Sequence, residues 1–139
     1  MESKIEILDF KHEGYKKLVT YDSWRVAMLN YIENLNPLLI DSVQAHLKTD
    51  ETFILLEGKC ILYLCDVVDD VVVDTQGIDM EQHKVYNIKK GVYHTHTLSM
   101  DGKVLIVENE DTADYNSPRI YIDEEIQNRF HAIMSRLWK

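Results

Sequence analysis

The chain has 139 residues, 45% hydrophobic and 28% charged, with a formal net charge of -9 from 24 acidic and 15 basic residues. That size and mix suit one globular domain with its own core. The acidic balance repels phosphate backbones and anionic bilayers, which argues against nucleic acids and membrane surfaces as partners.

Residues 5–10 alternate weakly and read as a short strand. Residues 24–31 form a stronger strand candidate. Residues 38–46 lead as an extended segment into the first motif. Residues 52–56 and 60–65 flank Glu57-Gly58-Lys59, a hairpin signal. The apolar run 67–73 is broken by Asp69-Asp70, a second turn. Residues 78–80 and 85–88 follow as short strands. Residues 93–98 and 104–108 flank Met100-Asp101-Gly102, a third turn. Residues 109–117 are polar and read as a loop.

The end of the chain changes period. Asp123 can cap a helix whose first turn carries Glu124 and Glu125. Ile126, Phe130, Ile133 and Leu137 then recur at helical spacing. Many short strands plus one terminal helix predict a β-barrel or sandwich with a helical appendix. No apolar stretch approaches the roughly 20 residues that span a bilayer, and residues 1–5 lack a signal-peptide core. Cys60 and Cys65 have an odd separation on one strand, so they point to opposite faces and do not pair. Free thiols suit a reducing compartment, and the expected location is cytoplasmic.

Two segments carry chemistry. In the first, His46 is followed by Glu51 and, past an apolar run, by Gly58. In the second, Gly91 is followed by His94 and His96. Imidazole and carboxylate suit a divalent transition metal. No phosphate-binding Gly-rich loop, nucleophile elbow or Cys-x-x-Cys motif is present, which disfavours nucleotide hydrolysis, serine-hydrolase and thioredoxin-like chemistry.

These residues resemble the cupin superfamily. His46, Glu51 and Gly58 fit its first motif, and Gly91 and His94 fit its second, with Lys89 at a position usually held by Pro. The resemblance covers residues 24–109. It implies an all-β double-stranded β-helix, a jelly-roll-like barrel over about residues 15–122, with the C-terminal helix at about 123–138, in a single domain spanning 1–139. Two positions depart from the pattern. Gln44 stands where a third His is usual, and Leu98 stands where an Asn is usual.

The resemblance implies a metal held by His46, Glu51 and His94. His96, two residues past His94 on the same strand face, can supply the missing ligand. The carbonyl oxygen of Gln44 is the alternative. Fe, Mn, Ni and Zn all suit this donor set. The competing reading is a metal-free cupin that uses these His residues as acid/base or hydrogen-bonding groups.

Other residues have two readings each. Glu108, at the end of a strand, is a proton carrier or a solvated strand end. Tyr93 is a proton carrier or core, and Tyr63 a substrate contact or core. Arg25 binds an anionic substrate group or forms a surface ion pair. His12, His83 and His131 read as surface residues. The helix stripe docks on its own barrel or across the homodimer that the resemblance implies. The resulting expectation is a small cytoplasmic cupin acting on a sugar, keto acid or other carboxylate. The alternatives are a ligand-sensing module and a metal-free isomerase or epimerase.

Overall fold

The computed structural model describes residues 4–139. The signal-peptide reading of residues 1–5 therefore falls mostly outside the described residues. Among the described residues, ten strands form two five-stranded antiparallel sheets. The first sheet has the order β1-β2-β9-β4-β7, from β1 (Gly14–Tyr21), β2 (Trp24–Asn30), β4 (Glu51–Glu57), β7 (Val85–Ile88) and β9 (Lys103–Asn109). The second has the order β10-β3-β8-β5-β6, from β3 (Ser42–Gln44), β5 (Cys60–Val68), β6 (Val71–Asp79), β8 (Tyr93–Leu98) and β10 (Arg119–Tyr121).

The turns follow from local chemistry. Asp69 and Asp70 take φ of 51° and 62° between β5 and β6. Two consecutive positive φ values are what a two-residue hairpin requires, and Asp tolerates them. Gly58, between β4 and β5, has φ 72°. A Cβ there would lie 2.6 Å from Ser99 Oγ and 2.7 Å from Gly102 Cα, so only glycine fits.

The core has two compartments. Between the sheets lie Ala27, Leu29, Phe53, Leu55, Leu62 and Ile106 with their neighbours. Outside the second sheet, Val43, Ile61, Tyr63 and Cys65 pack against Ile126 and Phe130 of α1 (Glu124–Leu137). The second sheet is thus covered on both faces. This explains the continuous apolar run Cys60-Ile61-Leu62-Tyr63, all buried, where a one-sided strand would alternate. Cys60 joins the inner compartment and Cys65 the outer one, and both are free thiols.

The helix lies on its own barrel. Asp123 Oδ1 accepts a hydrogen bond from Ile126 N–H at 3.0 Å and caps its start. Ile133, Met134 and Leu137 continue the stripe over the second sheet. Among the described residues, no helix is long and apolar enough to cross a membrane.

Three local expectations are corrected. Residues 5–10 form no strand; Ile7 is 88% exposed, and with few apolar partners the weak alternation finds no sheet to join. Residues 38–46 are not one strand. Asn36 Oδ1 accepts from Leu38 N–H and closes a 3-10 turn at Pro37–Leu39, leaving only β3 extended. Residues 14–21 and 119–121 are strands, β1 and β10, where no strong pattern marked them. Both are sheet edges with exposed residues, which weakens the apolar signal.

Candidate metal centre

Strand alternation aims the motif residues at one another. Along β4 the residues Glu51, Phe53 and Leu55 are buried in alternation, so Glu51 faces inward at the open end of the barrel. On β8, His94 pairs in register with Gln44 of β3. His46 lies two residues beyond Gln44, just past the end of β3. The chain is pinned here. Gly91 N–H donates to His46 O at 2.8 Å, and Lys90 N–H donates to Asp50 Oδ1 at 2.8 Å. The Gly turn of the second motif is thereby tied to both sides of the first.

The result is a tight group. Glu51 Oε1 lies 2.9 Å from His94 Nε2 and 3.3 Å from His46 Nε2. One donor atom from each residue lies within 4.8 Å of the others. His94 Nδ1 faces the carbonyl of Val92 at 3.0 Å. A carbonyl only accepts, so Nδ1 carries a proton, and Nε2 is the nitrogen that faces Glu51. An imidazole nitrogen this close to a carboxylate oxygen calls for a proton or a cation between them. Two imidazoles and one carboxylate with space on one side fit a divalent transition metal.

The electrostatics favour ionised Glu51. Burial pushes its pKa up, but hydrogen bonds to His46, His94 and Glu108 outweigh burial and hold it well below the usual carboxylate range. Burial also disfavours charge on His46, yet the Glu51 carboxylate prevails and raises the imidazole pKa.

A second cluster adjoins the first. Arg25, Glu108 and Glu51 stand side by side across β2, β9 and β4. Glu108 Oε1 accepts from Arg25 Nη2 at 2.6 Å, Arg25 Nε at 3.1 Å and Tyr15 Oη at 3.1 Å. Its Oε2 is buried without a donor. Burial first, and the Glu51 carboxylate next, push its pKa up to about 7 against the pull of Arg25. A proton on Oε2 reconciles the two neighbouring carboxyls.

The remaining sequence candidates are distributed as follows. Gln44 lines the same cavity, but its amide is engaged with Ser117 O at 2.9 Å and Arg119 Nη2 at 3.3 Å. His96 lies deeper, with its ring 5.5 Å from Phe53 and its Nδ1 unpaired. It stands outside the group of three, and burial pushes its pKa down to about 4. Tyr93 is one residue from His94 and so faces the other way, into the compartment under α1. Tyr63 lies there too, with its ring 4.6 Å from Phe130. The structure does not bring either tyrosine to the cavity. Arg25 is a buried partner of Glu108, in place of a surface pair.

Sequence reasoning missed Tyr15, Ser117 and Arg119. Ser117 Oγ lies 2.8 Å from His46 Nδ1. All three belong to segments remote from the motifs and carry no spacing signal. The groups line one cavity of about 720 Å³. Leu29, Phe53 and Ile106 form its apolar floor, and Asn34, Ser42 and Arg119 add polar groups.

No family model matches this sequence, and no curated protein matches it. Solved structures do match. A cupin-2 domain protein from Shewanella frigidimarina is 21% identical, with TM-score 0.53, over 73% of this chain and 85% of that one. Pac13 from Streptomyces, described as a nucleoside dehydratase and solved with uridine, is 10% identical, with TM-score 0.54, over 84% of this chain and 87% of that one. The fold is that of the cupins. An Fe(II) form of HppE is 14% identical, with TM-score 0.51, over 69% of this chain but only 50% of that one. Identities this low speak for the shared cupin barrel alone, and the chemistry has to be argued from the site itself.

Proposed function

We propose that this cupin holds a divalent transition metal on His46, Glu51 and His94 and catalyses acid–base chemistry on a small polar molecule such as a sugar, keto acid or other carboxylate. The observation that carries the reading is the convergence of His46 Nε2 and His94 Nε2 on one oxygen of Glu51. Glu51 of the first sheet, His94 of the second and His46 just past β3 meet at the cavity wall, with an acid/base group next to them. A bound ion would supply Lewis acidity toward a substrate oxygen.

The chain's own residues do the rest. Glu108 holds or takes a proton at Oε2, while Arg25 and Tyr15 fix its other oxygen. Phe53, Ile106 and Leu29 exclude water from the inner end of the cavity. Gln44, Ser42 and Arg119 offer polar contacts to the substrate's hydroxyl or carboxylate groups. Pac13, described as a nucleoside dehydratase, and HppE, solved in an Fe(II) form, show that enzymes and iron-loaded proteins share this barrel. His96 is the reserve ligand in this reading, because only a side-chain movement would bring it into the group. Two buried free thiols support a reducing, cytoplasmic setting.

Elemental analysis of untagged protein tests the reading, beside His46→Ala and His94→Ala. Near-stoichiometric metal in the wild type, lost in both variants, is the expected result. A wild type that takes up no Fe(II), Mn(II), Ni(II) or Zn(II) overturns it.

A further inference from the structure

The loop between β9 and β10 reaches back to the barrel mouth, and its hydrogen bonds can be followed atom by atom. Asn116 is 6% exposed and Ser117 3% exposed. Asn116 Oδ1 faces the backbone N–H of Ala113 at 3.0 Å, and a backbone N–H can only donate. Asn116 Nδ2 faces the carbonyl of Asp111 at 2.6 Å, and a carbonyl can only accept. The amide orientation is therefore determined by two groups of fixed polarity.

The next link follows from it. Ser117 Oγ lies 3.1 Å from Asn116 Oδ1, which has no proton to give. The Ser117 hydroxyl must donate to Asn116. Its single proton is then spent, and toward His46 Nδ1, at 2.8 Å, Ser117 can only accept. Nδ1 of His46 therefore carries a proton, and it is Nε2 that loses its proton to face Glu51 with a lone pair when the ring becomes neutral.

The backbone holds the relay in place. Ala45 N–H donates to Pro118 O at 3.1 Å, and Leu47 N–H donates to Asn116 O at 3.1 Å. Gln44 Nε2 adds a bond to Ser117 O at 2.9 Å. The loop thus runs alongside residues 44–47 and sets Ser117 Oγ relative to the ring it faces.

We infer that Asn116 and Ser117 are positioning residues, a one-directional hydrogen-bond relay that locks His46 in its Nδ1–H tautomer and delivers Nε2 to the cavity. His94 likewise has its Nδ1 against an acceptor, the Val92 carbonyl. The two imidazoles are thus set for ligation by different devices: one by its own strand, the other by a loop some 70 residues away in sequence. The consequence for metal affinity rests on the proposed metal site; the tautomer assignment does not. Groups that orient a ligating imidazole in this way typically contribute about 10–100-fold to metal affinity.

Long-range proton–nitrogen NMR of the metal-free protein tests the tautomer directly, on the alkaline side where the ring is neutral. The wild type is expected to show His46 protonated on Nδ1, Ser117→Ala to lose that preference, and Ser117→Thr, which keeps the hydroxyl, to retain it. Asn116→Ala is expected to weaken it, because the hydroxyl is then free to turn and donate to the ring. An Nε2–H ring in the wild type, or an unchanged ring in Ser117→Ala, overturns the relay. Zn(II) affinity by competition with a chromophoric chelator supplies the second readout. Ser117→Ala is expected to bind at least about 10-fold more weakly than wild type, with Ser117→Thr close to wild type. Equal affinity in wild type and Ser117→Ala overturns the positioning role. Absence of Zn(II) binding in the wild type would count against the metal reading alone, since the NMR result decides the relay without metal. Circular dichroism on each variant confirms that the fold is retained.

Discussion

The buried pair of Arg25 and Glu108 links the site to stability at the level of single residues. Their side chains are only 6% and 3% exposed, and three donors converge on one Glu108 oxygen. Removing Arg25 strips Glu108 of its charged partner, and above about pH 7, where Glu108 is ionised, the stranded carboxylate costs roughly 3–5 kcal/mol. Arg25→Met is therefore expected to lower unfolding stability by about that amount in urea titration. Replacing both, as Arg25→Met with Glu108→Gln, removes the stranded charge and is expected to recover a substantial part of the loss. A double variant no more stable than Arg25→Met would show that the cost lies in packing. The same pair shows what a sequence exposes at this scale. His46 and Glu51 are close along the chain and His94 follows a recognisable Gly turn, so spacing alone brought them forward. Tyr15 meets Glu108 across a separation of 93 residues, and Ser117 meets His46 across 71. Such contacts are made by sheet order and register, which no local pattern encodes.

At the scale of elements, the joint between α1 and the second sheet is the most sensitive surface. Gly77 of β6 lies under the helix, and a Cβ built on it would stand 2.3 Å from Ile133 Cγ2. Its backbone is ordinary, so the constraint is one of space. Gly77→Ala is expected to cost about 1–3 kcal/mol by overpacking. Phe130→Ala, which empties a site 1% exposed and removes the ring against Tyr63, is expected to cost about 3–5 kcal/mol. Thermal unfolding measures both. If Gly77→Ala melts with the wild type, the helix rides over the sheet loosely enough to shift. The helix itself was legible in the sequence because its cap, charges and apolar stripe all agree. Its partner sheet was legible too, through the unbroken apolar run of β5. The edges β1 and β10 were not, since an edge strand half in solvent carries little of the alternation that marks a strand. The 3-10 turn at Pro37–Leu39 was missed for a related reason. Its apolar residues Leu38 and Leu39 are 63% and 50% exposed, so hydrophobicity there signalled burial that does not occur.

At the scale of the whole molecule, the proposed metal would act as a clip between layers. Glu51 belongs to the first sheet, whereas His94 belongs to the second and His46 adjoins it. An ion bound only by the folded arrangement stabilises it by mass action, by about 2.7 kcal/mol at a free concentration 100 times its dissociation constant. Because the two sheets are expected to unfold together, that stabilisation would be shared by both. The two tryptophans allow this to be observed. Trp24 opens β2 of the first sheet, and Trp138 caps α1, donating its Nε1–H to Asp79 Oδ1 of β6 at 3.0 Å. Trp24→Phe therefore leaves a fluorophore reporting on the second sheet and its helix, and Trp138→Phe leaves one reporting on the first sheet. Without metal, the two variants are expected to melt in single transitions, each the same by fluorescence and by circular dichroism. With Zn(II) or Mn(II) both midpoints are expected to rise by similar amounts, and neither to move once His94→Ala is added. No rise in either variant, or a rise that survives His94→Ala, would remove the clip, and a rise that survives Glu51→Gln would remove Glu51 from its ligands.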